Sequence, residues 1–269
     1  MMNLVNPQYK EDVAKYQKKD AIVAICFWAG LMILYAAAGV VSKFVPLIPS
    51  IVITIVLLAV CAFIVLRKGG KISSIGFRRT NVLPSLGLGL MCAIVPLVLV
   101  NGILPALIYG WKLEPIGYLL YQFFYILVAI ALVEEVLFRG YIQTRLYGLF
   151  KGNISSVLIG ALLFMLMHIP FQLAYTGVGI FSQMFFMNLA FTFIFHIVLN
   201  LIYVKYNVIY GAILLHTLNN WIYDIFSRDH TPMWSIYIYY GVIVLTLAIL
   251  GIRYWYLRRH PNLPENDKN

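Results

Sequence analysis

Polar and ionisable side chains are rare in the long apolar stretches of this sequence, and those present are types that can do acid–base chemistry. They comprise two adjacent acids, an arginine, three histidines and two asparagines: Glu134, Glu135, Arg139, His168, His196, His216, Asn200 and Asn220. A charged group at bilayer depth costs about 2.5–3.5 kcal/mol on insertion scales, so each one calls for a functional explanation. Carboxylates and imidazoles are common general acids and bases.

The segment EEVLFR, residues 134–139, combines both acids with the arginine. Neighbouring residues of an α-helix point about 100° apart, so Glu134 and Glu135 are not expected to share a face. Glu135 and Arg139 are four residues apart in the favourable order for an ion pair. We therefore expect Arg139 to hold Glu135, leaving Glu134 to face a cavity as a general base. An inter-helix ion pair without chemistry remains the alternative.

Depth along the helices links these acids to the histidines. Glu134 lies 18 residues before the turn near Gly152, and His168 lies 16 residues after it. Two antiparallel helices leaving one turn bring such residues to a similar depth. His216 and Asn220 are one helical turn apart, on the cytoplasmic half of a later helix. The pattern predicts that three helices direct Glu134, His168, His216 and Asn220 into one layer.

His196 begins a second HxxxN pattern, which ends at Asn200. A lone histidine within the membrane more often makes hydrogen bonds between helices than binds a ligand. We interpret His196 as structural, with an additional role at the site as the alternative, because spacing alone does not separate the two patterns.

The composition indicates which elements must position these residues. The 269 residues are 62% hydrophobic and only 11% charged, whereas soluble domains are about a quarter charged. Stretches of roughly 20 apolar residues span a bilayer. Eight candidates are found, at residues 21–45, 47–66, 83–108, 116–138, 154–171, 180–204, 208–227 and 234–252. The sequence predicts an all-α polytopic membrane protein with a single transmembrane domain, residues 21–252, between a polar segment, 1–20, and a basic tail, 253–269.

Lysine and arginine are distributed unevenly between alternate connectors. One side collects 16 of the 20 basic residues, and the other side has three: Lys43, Lys112 and Arg228. Such an excess marks the cytoplasmic side, so both termini are predicted to be cytoplasmic. The net charge of +10 then favours contact with anionic lipid at the cytoplasmic face and gives no basic groove for nucleic acid. The cysteines, Cys26, Cys61 and Cys92, lie in apolar runs and are interpreted as small buried hydrophobes.

Three motifs together resemble a known family. EEVLFR (134–139), FMLMH (164–168) and HTLNN (216–220) are similar to the ordered EExxxR, FxxxH and HxxxN signatures of the CAAX protease and bacteriocin-processing family, also called Abi. The resemblance extends over about residues 116–227. It implies an all-helical intramembrane endopeptidase, with a CAAX-protease-like core.

The resemblance also implies roles for the site residues. Glu134 would activate water with help from His168 and His216, Asn220 would stabilise the oxyanion, and Glu135 and Arg139 would support them. Two mechanisms remain open, one without a metal and one in which Glu134, His168 and His216 hold zinc. Counting ligands favours zinc slightly. His196 departs from the family pattern, in which a small residue is common at this position.

Membrane-associated peptides or proteins are the expected substrates, with leader peptides of bacteriocins as one family-level example. The expected location is a plasma membrane, crossed several times, in a bacterium. Two other classes of function stay open: a non-catalytic immunity or regulatory scaffold of the same fold, and a proton- or ion-coupled transporter that uses the same polar layer.

Overall fold

The computed structural model describes residues 5–41, 50–67, 71–99, 102–110, 112–172, 182–227 and 233–260. Four residues of the charge count, Lys43, Lys68, Arg228 and Lys268, lie outside this part of the chain, as does the end of the predicted basic tail. The described residues are overwhelmingly helical, in agreement with the predicted all-α class.

The helices follow the predicted apolar stretches closely. In chain order they are α1 Pro7–Ala14, α2 Lys18–Val41, α3 Ser50–Arg67, a 3-10 turn Ile72–Ile75, α4 Val82–Leu99, α5 Ile103–Tyr109, α6 Ile116–Phe150, α7 Asn153–Phe171, α8 Gln183–Tyr206, α9 Tyr210–Ile225 and α10 Met233–Arg259. Two short strands, β1 Lys112–Leu113 and β2 Phe226–Ser227, pair antiparallel. Helix α6 extends past the predicted end of its span, residue 138, through the amphipathic residues that follow.

Five helical stretches in the described residues are long and apolar enough to cross a bilayer: Lys18–Ala37, Val82–Tyr109, Ile116–Phe150, Asn153–Pro170 and Gln183–Tyr206. The protein is therefore a multi-pass membrane protein. The other predicted spans coincide with helices α3, α9 and α10. The count of eight crossings and the side on which the termini lie remain predictions.

Four connectors gather at one end of the helix bundle, called here the basic end because three of them carry lysine or arginine: residues 5–17, 71–81, 150–153 and 206–209. The amide of Asn6 donates to the carbonyl of Val204 at 3.0 Å. Asp12 pairs with Arg78 at 2.7 Å and accepts a hydrogen bond from Asn207 at 2.7 Å. Helix α1 is thus attached to α8 and to the connector before α4.

The opposite end of the bundle is joined by the two strands. Lys112 lies across from Ser227 and Leu113 from Phe226, so the beginning of α6 lies beside the end of α9. The two helices consequently run antiparallel. This arrangement carries Glu134 of α6 and His216 of α9 toward each other from opposite directions.

Helices α4 and α9 approach each other through glycines. A Cβ atom on Gly89 would collide with the backbone oxygen of Gly211, and one on Gly211 with the backbone oxygen of Ser85. The Ser85 hydroxyl accepts a hydrogen bond from the Gly211 amide at 3.1 Å. Small residues allow membrane helices to pack backbone against backbone. This contact fixes the start of α9 and therefore the depth of its polar residues.

Replacing Gly89 with alanine tests this contact. The added methyl group meets backbone, which has no rotamer with which to move away, so G89A is expected to lose about 1–3 kcal/mol of stability. Gly87 on the same helix has nothing within 4 Å of its added Cβ, so G87A should be neutral or slightly stabilising, since alanine is the better helix former. Unfolding temperatures in detergent measure both. Equal shifts for the two variants would show that the α4–α9 contact is not close.

Candidate active site

The two acids lie in an irregular part of helix α6. The helix is α-helical over Ile116–Tyr125, Leu132–Glu135 and Thr144–Phe150, and it widens to π-helical turns over Ile126–Ala131 and Val136–Gln143. π-helical turns are rare and occur frequently at functional sites. Glu134 and Glu135 occupy the short α-helical segment between the two wide stretches.

Glu135 and Arg139 form the predicted ion pair. Arg139 Nη1 donates to Glu135 Oε1 at 2.8 Å, and both side chains are fully buried. The guanidinium also lies over the ring of Phe164 on α7, 4.6 Å from the ring centroid. The ion pair therefore links α6 to the helix that carries His168.

His216 lies between the two carboxylates, an arrangement that the sequence did not predict. Its Nδ1 is 2.7 Å from Glu135 Oε1, and its Nε2 is 3.8 Å from Glu134 Oε2. An ionised carboxylate only accepts hydrogen bonds, so Nδ1 is the nitrogen that donates. In the neutral ring, Nε2 then carries the lone pair and faces Glu134. The expectation that the acids act on separate faces is thus revised, because they flank one imidazole.

A second imidazole near Glu134, that of His168, comes from α7. Its Nδ1 lies 2.9 Å from the backbone oxygen of Phe164, and because a carbonyl only accepts, Nδ1 carries the proton in this bond. The imidazole interacts electrostatically with Glu134 and with His216. The structure therefore brings Glu134, His168 and His216 together from three helices.

Asn220 lies one turn beyond His216 on the same face of α9 and is half-buried. Its Oδ1 accepts a hydrogen bond from Asn219 Nδ2 at 3.3 Å. Asn219 itself is buried. Asn219 was not predicted as a site residue, although the doubled asparagine of HTLNN was an available signal.

His196 belongs to a neighbouring polar cluster, composed of Gln143, His196 and Asn200. All three side chains are fully buried, and within the described part of the chain the side-chain nitrogen and oxygen atoms of His196 and Asn200 find no hydrogen-bond partner. The Phe164 ring lies between the clusters, with centroid distances of 4.7 Å to His196 and 4.6 Å to His168. His196 is thus one aromatic ring away from the catalytic candidates, and its structural role stays a prediction.

The proposed zinc ligands have suitable chemistry, since two histidines and a glutamate form a known catalytic zinc set. Across the described ranges, however, no three His, Cys, Asp or Glu side chains are gathered in a way that could hold a metal ion. The bond from Nδ1 of His216 to Glu135 leaves Nε2 as the metal-binding atom, and such a carboxylate partner is common for zinc-bound histidines. The donor types therefore suit zinc, but the side chains are not gathered around one point, and we derive no step through a metal.

Comparison with known proteins identifies the region that contains these residues. Residues 116–222 match the family model described as Type II CAAX prenyl endopeptidase Rce1-like. The matched region contains all three motifs, so the resemblance predicted from them is confirmed. No curated protein and no solved structure matches the chain. The similarity to this family covers residues 116–222, the part of the chain that holds the candidate site.

Removing the arginine tests how far the site depends on its buried ion pair. R139M leaves the Glu135 carboxylate buried without its positive partner, a change that typically costs about 3–5 kcal/mol. R78M is the matched control. It breaks the ion pair between Arg78 and Asp12, which is of similar length but whose two side chains are 20% and 22% exposed. Such exposed pairs contribute at most about 1 kcal/mol. Thermal unfolding in detergent measures the stability of both variants. If R139M lowers the unfolding temperature as little as R78M does, the site does not depend on the buried ion pair.

Proposed function

We propose an activity for this chain from the similarity of its residues 116–222 to the Rce1-like family of type II CAAX prenyl endopeptidases. The protein hydrolyses a peptide bond in a membrane-associated peptide or protein, and Glu134 activates the attacking water. The observation that carries this proposal is the placement of one imidazole between two carboxylates of which only one has an arginine partner.

The charges around His216 give the two acids different roles. Arg139 neutralises Glu135, and Glu135 in turn orients His216 through Nδ1. Glu134 Oε2 accepts no hydrogen bond from any described residue and lies 3.8 Å from Nε2 of the same ring. Glu134 is therefore the acid left to take a proton, as a general base requires. Glu135 and Arg139 act as positioning residues.

The reaction follows from these roles. Glu134 removes a proton from water, and the water oxygen attacks the carbonyl carbon of the substrate. The tetrahedral oxyanion receives a hydrogen bond from the Asn220 amide nitrogen, and such a bond is strong in a water-poor site. Glu134 then returns the proton to the leaving nitrogen as the C–N bond breaks. The products are a carboxylic acid and an amine.

His168 of α7 is assigned to assist Glu134. Its Nδ1 proton is bonded to the Phe164 carbonyl, so in the neutral ring Nε2 carries the lone pair and is the atom that we assign to proton exchange with the reacting groups. Fixing the tautomer through a backbone bond is a common way to keep a catalytic imidazole ready for its role. The electrostatic interaction of His168 with Glu134 supports this assignment.

The substrate class follows from the location of the site inside a multi-pass protein. Buried catalytic groups on three apolar helices are accessible to a chain that is itself associated with the membrane. The predicted cytoplasmic orientation of the basic end adds contact with anionic lipid, worth about 1 kcal/mol per basic residue near the surface. A bacterial plasma membrane is the proposed location.

Replacing Glu134 with glutamine tests the general base. E134Q keeps the size of the side chain and removes its basicity, so cleavage should fall at least a hundredfold while the protein stays folded. The control is E114Q. Glu114 lies next to strand β1, at the end of the helix bundle opposite the basic end, so E114Q should cleave normally. Mass spectrometry of peptides in membranes that express each protein measures the cleavage products. Equal product levels with wild type and E134Q would overturn the proposal.

A metal-free mechanism predicts the response to chelators. Purified protein dialysed against a strong zinc chelator should retain its cleavage rate within a factor of about two, because protein side chains alone supply the base and the oxyanion donor. Direct metal analysis of the same sample accompanies the assay. Loss of cleavage that added zinc restores would show that a metal takes part.

A further inference from the structure

HTLNN contains an asparagine that the mechanism does not use. Asn219 is 2% exposed and accepts a hydrogen bond at Oδ1 from the hydroxyl of Tyr239 on α10, at 3.2 Å. Its Nδ2 donates to Asn220 Oδ1 at 3.3 Å. A continuous chain of hydrogen bonds thus runs from the last helix to the proposed oxyanion donor.

The direction of these hydrogen bonds determines whether the nitrogen or the oxygen of the Asn220 amide is available to a ligand. Each amide has one accepting oxygen and one donating nitrogen. Tyr239 engages the oxygen of Asn219, so the nitrogen of Asn219 faces Asn220 and occupies its oxygen. The Asn220 Nδ2 group donates to no described residue and remains for a ligand. A flipped Asn220 would present its oxygen to the oxyanion and repel it.

Aromatic packing holds Tyr239 in position beside the site. Its side chain is 4% exposed, and its ring lies 5.6 Å from that of Phe191 on α8. Phe191 stacks on Phe195 at 5.4 Å, and Phe195 meets the ring of His216 edge-on at 5.8 Å. The same packing therefore connects Tyr239 with the imidazole between the two carboxylates.

We infer that Tyr239 is a positioning residue for catalysis, acting through Asn219 to hold the Asn220 amide with its nitrogen toward the oxyanion. The inference rests on the proposed function, because it gives the amide of Asn220 an orientation only a hydrolytic site would need. Tyr239 lies outside residues 116–222, so the family match does not include it. The last helix thereby contributes to a site formed by α6, α7 and α9.

Two matched tyrosine variants test the inference. Y239F removes the hydroxyl that begins the chain, and Y240F removes the neighbouring hydroxyl, which donates to the backbone oxygen of Met187 at 3.2 Å. Each variant removes only the hydroxyl group of a tyrosine on the same helix. Y239F should lower kcat about tenfold with little change in KM, whereas Y240F should change neither. The substrate is a synthetic peptide spanning the bond that wild-type membranes cleave.

A double variant shows whether the effect passes through Asn220. N220A should lower kcat about 10²–10³-fold, and adding Y239F to it should lower kcat no further. Independent, multiplying losses would overturn the inference, as would equal kcat values for Y239F and Y240F. Unfolding temperatures of Y239F and Y240F should agree, so a purely structural role for Tyr239 would appear as lost stability with unchanged kcat. If E134Q cleaves normally, the proposed function fails instead.

Discussion

A carboxylate enclosed by apolar helices requires a partner for its charge, and the ion pair of Glu135 and Arg139 meets this requirement at the centre of the bundle. Both side chains are fully buried and 2.8 Å apart. Removing one charge from such a pair would leave the other uncompensated. The pair also has a direction, because Glu135 accepts from Arg139 and from His216 through the same oxygen. The orientation of the imidazole, and with it the environment of Glu134, follows from this interaction.

Helix packing supplies the geometry that the ion pair needs. The glycine contact between α4 and α9 sets the position of His216, and the strand pair at the opposite end keeps α6 and α9 antiparallel. A second close approach lies at the basic end, where a Cβ on Gly140 would press on the backbone oxygen of Ile75. The connector between α3 and α4 thus packs directly on the wide turn that follows the two acids. Rigid supports on both sides of the acids suit a site whose catalytic groups must stay within about half an ångström of their working positions.

Much of the site could be predicted from local spacing. The four-residue interval between Glu135 and Arg139 gave the ion pair, and counting from the turn near Gly152 gave the meeting of α6 and α7. The widened turns around Glu134 could not be predicted, because no residue type specifies a π-helical turn. The two acids lie in the α-helical segment between these turns, and both carboxylates reach His216. The role of Tyr239 could not be predicted either, since it depends on how α10 packs. The interval between His196 and Asn200 and the motif residue Phe164 were both recognised, but the position of the Phe164 ring between that cluster and the site depends on how α7 packs and could not be predicted.

The orientation of His216 offers the most direct test of the account. Nitrogen-15 labelling of histidine, with His216 assigned by the signal that H216Q lacks, reports which ring nitrogen carries the proton in the neutral side chain. The account predicts a proton on Nδ1, hydrogen-bonded to Glu135, and loss of that bonded signal in E135A. A proton on Nε2, or a spectrum unchanged by E135A, would contradict the arrangement in which Glu135 orients the ring and Glu134 faces its lone pair.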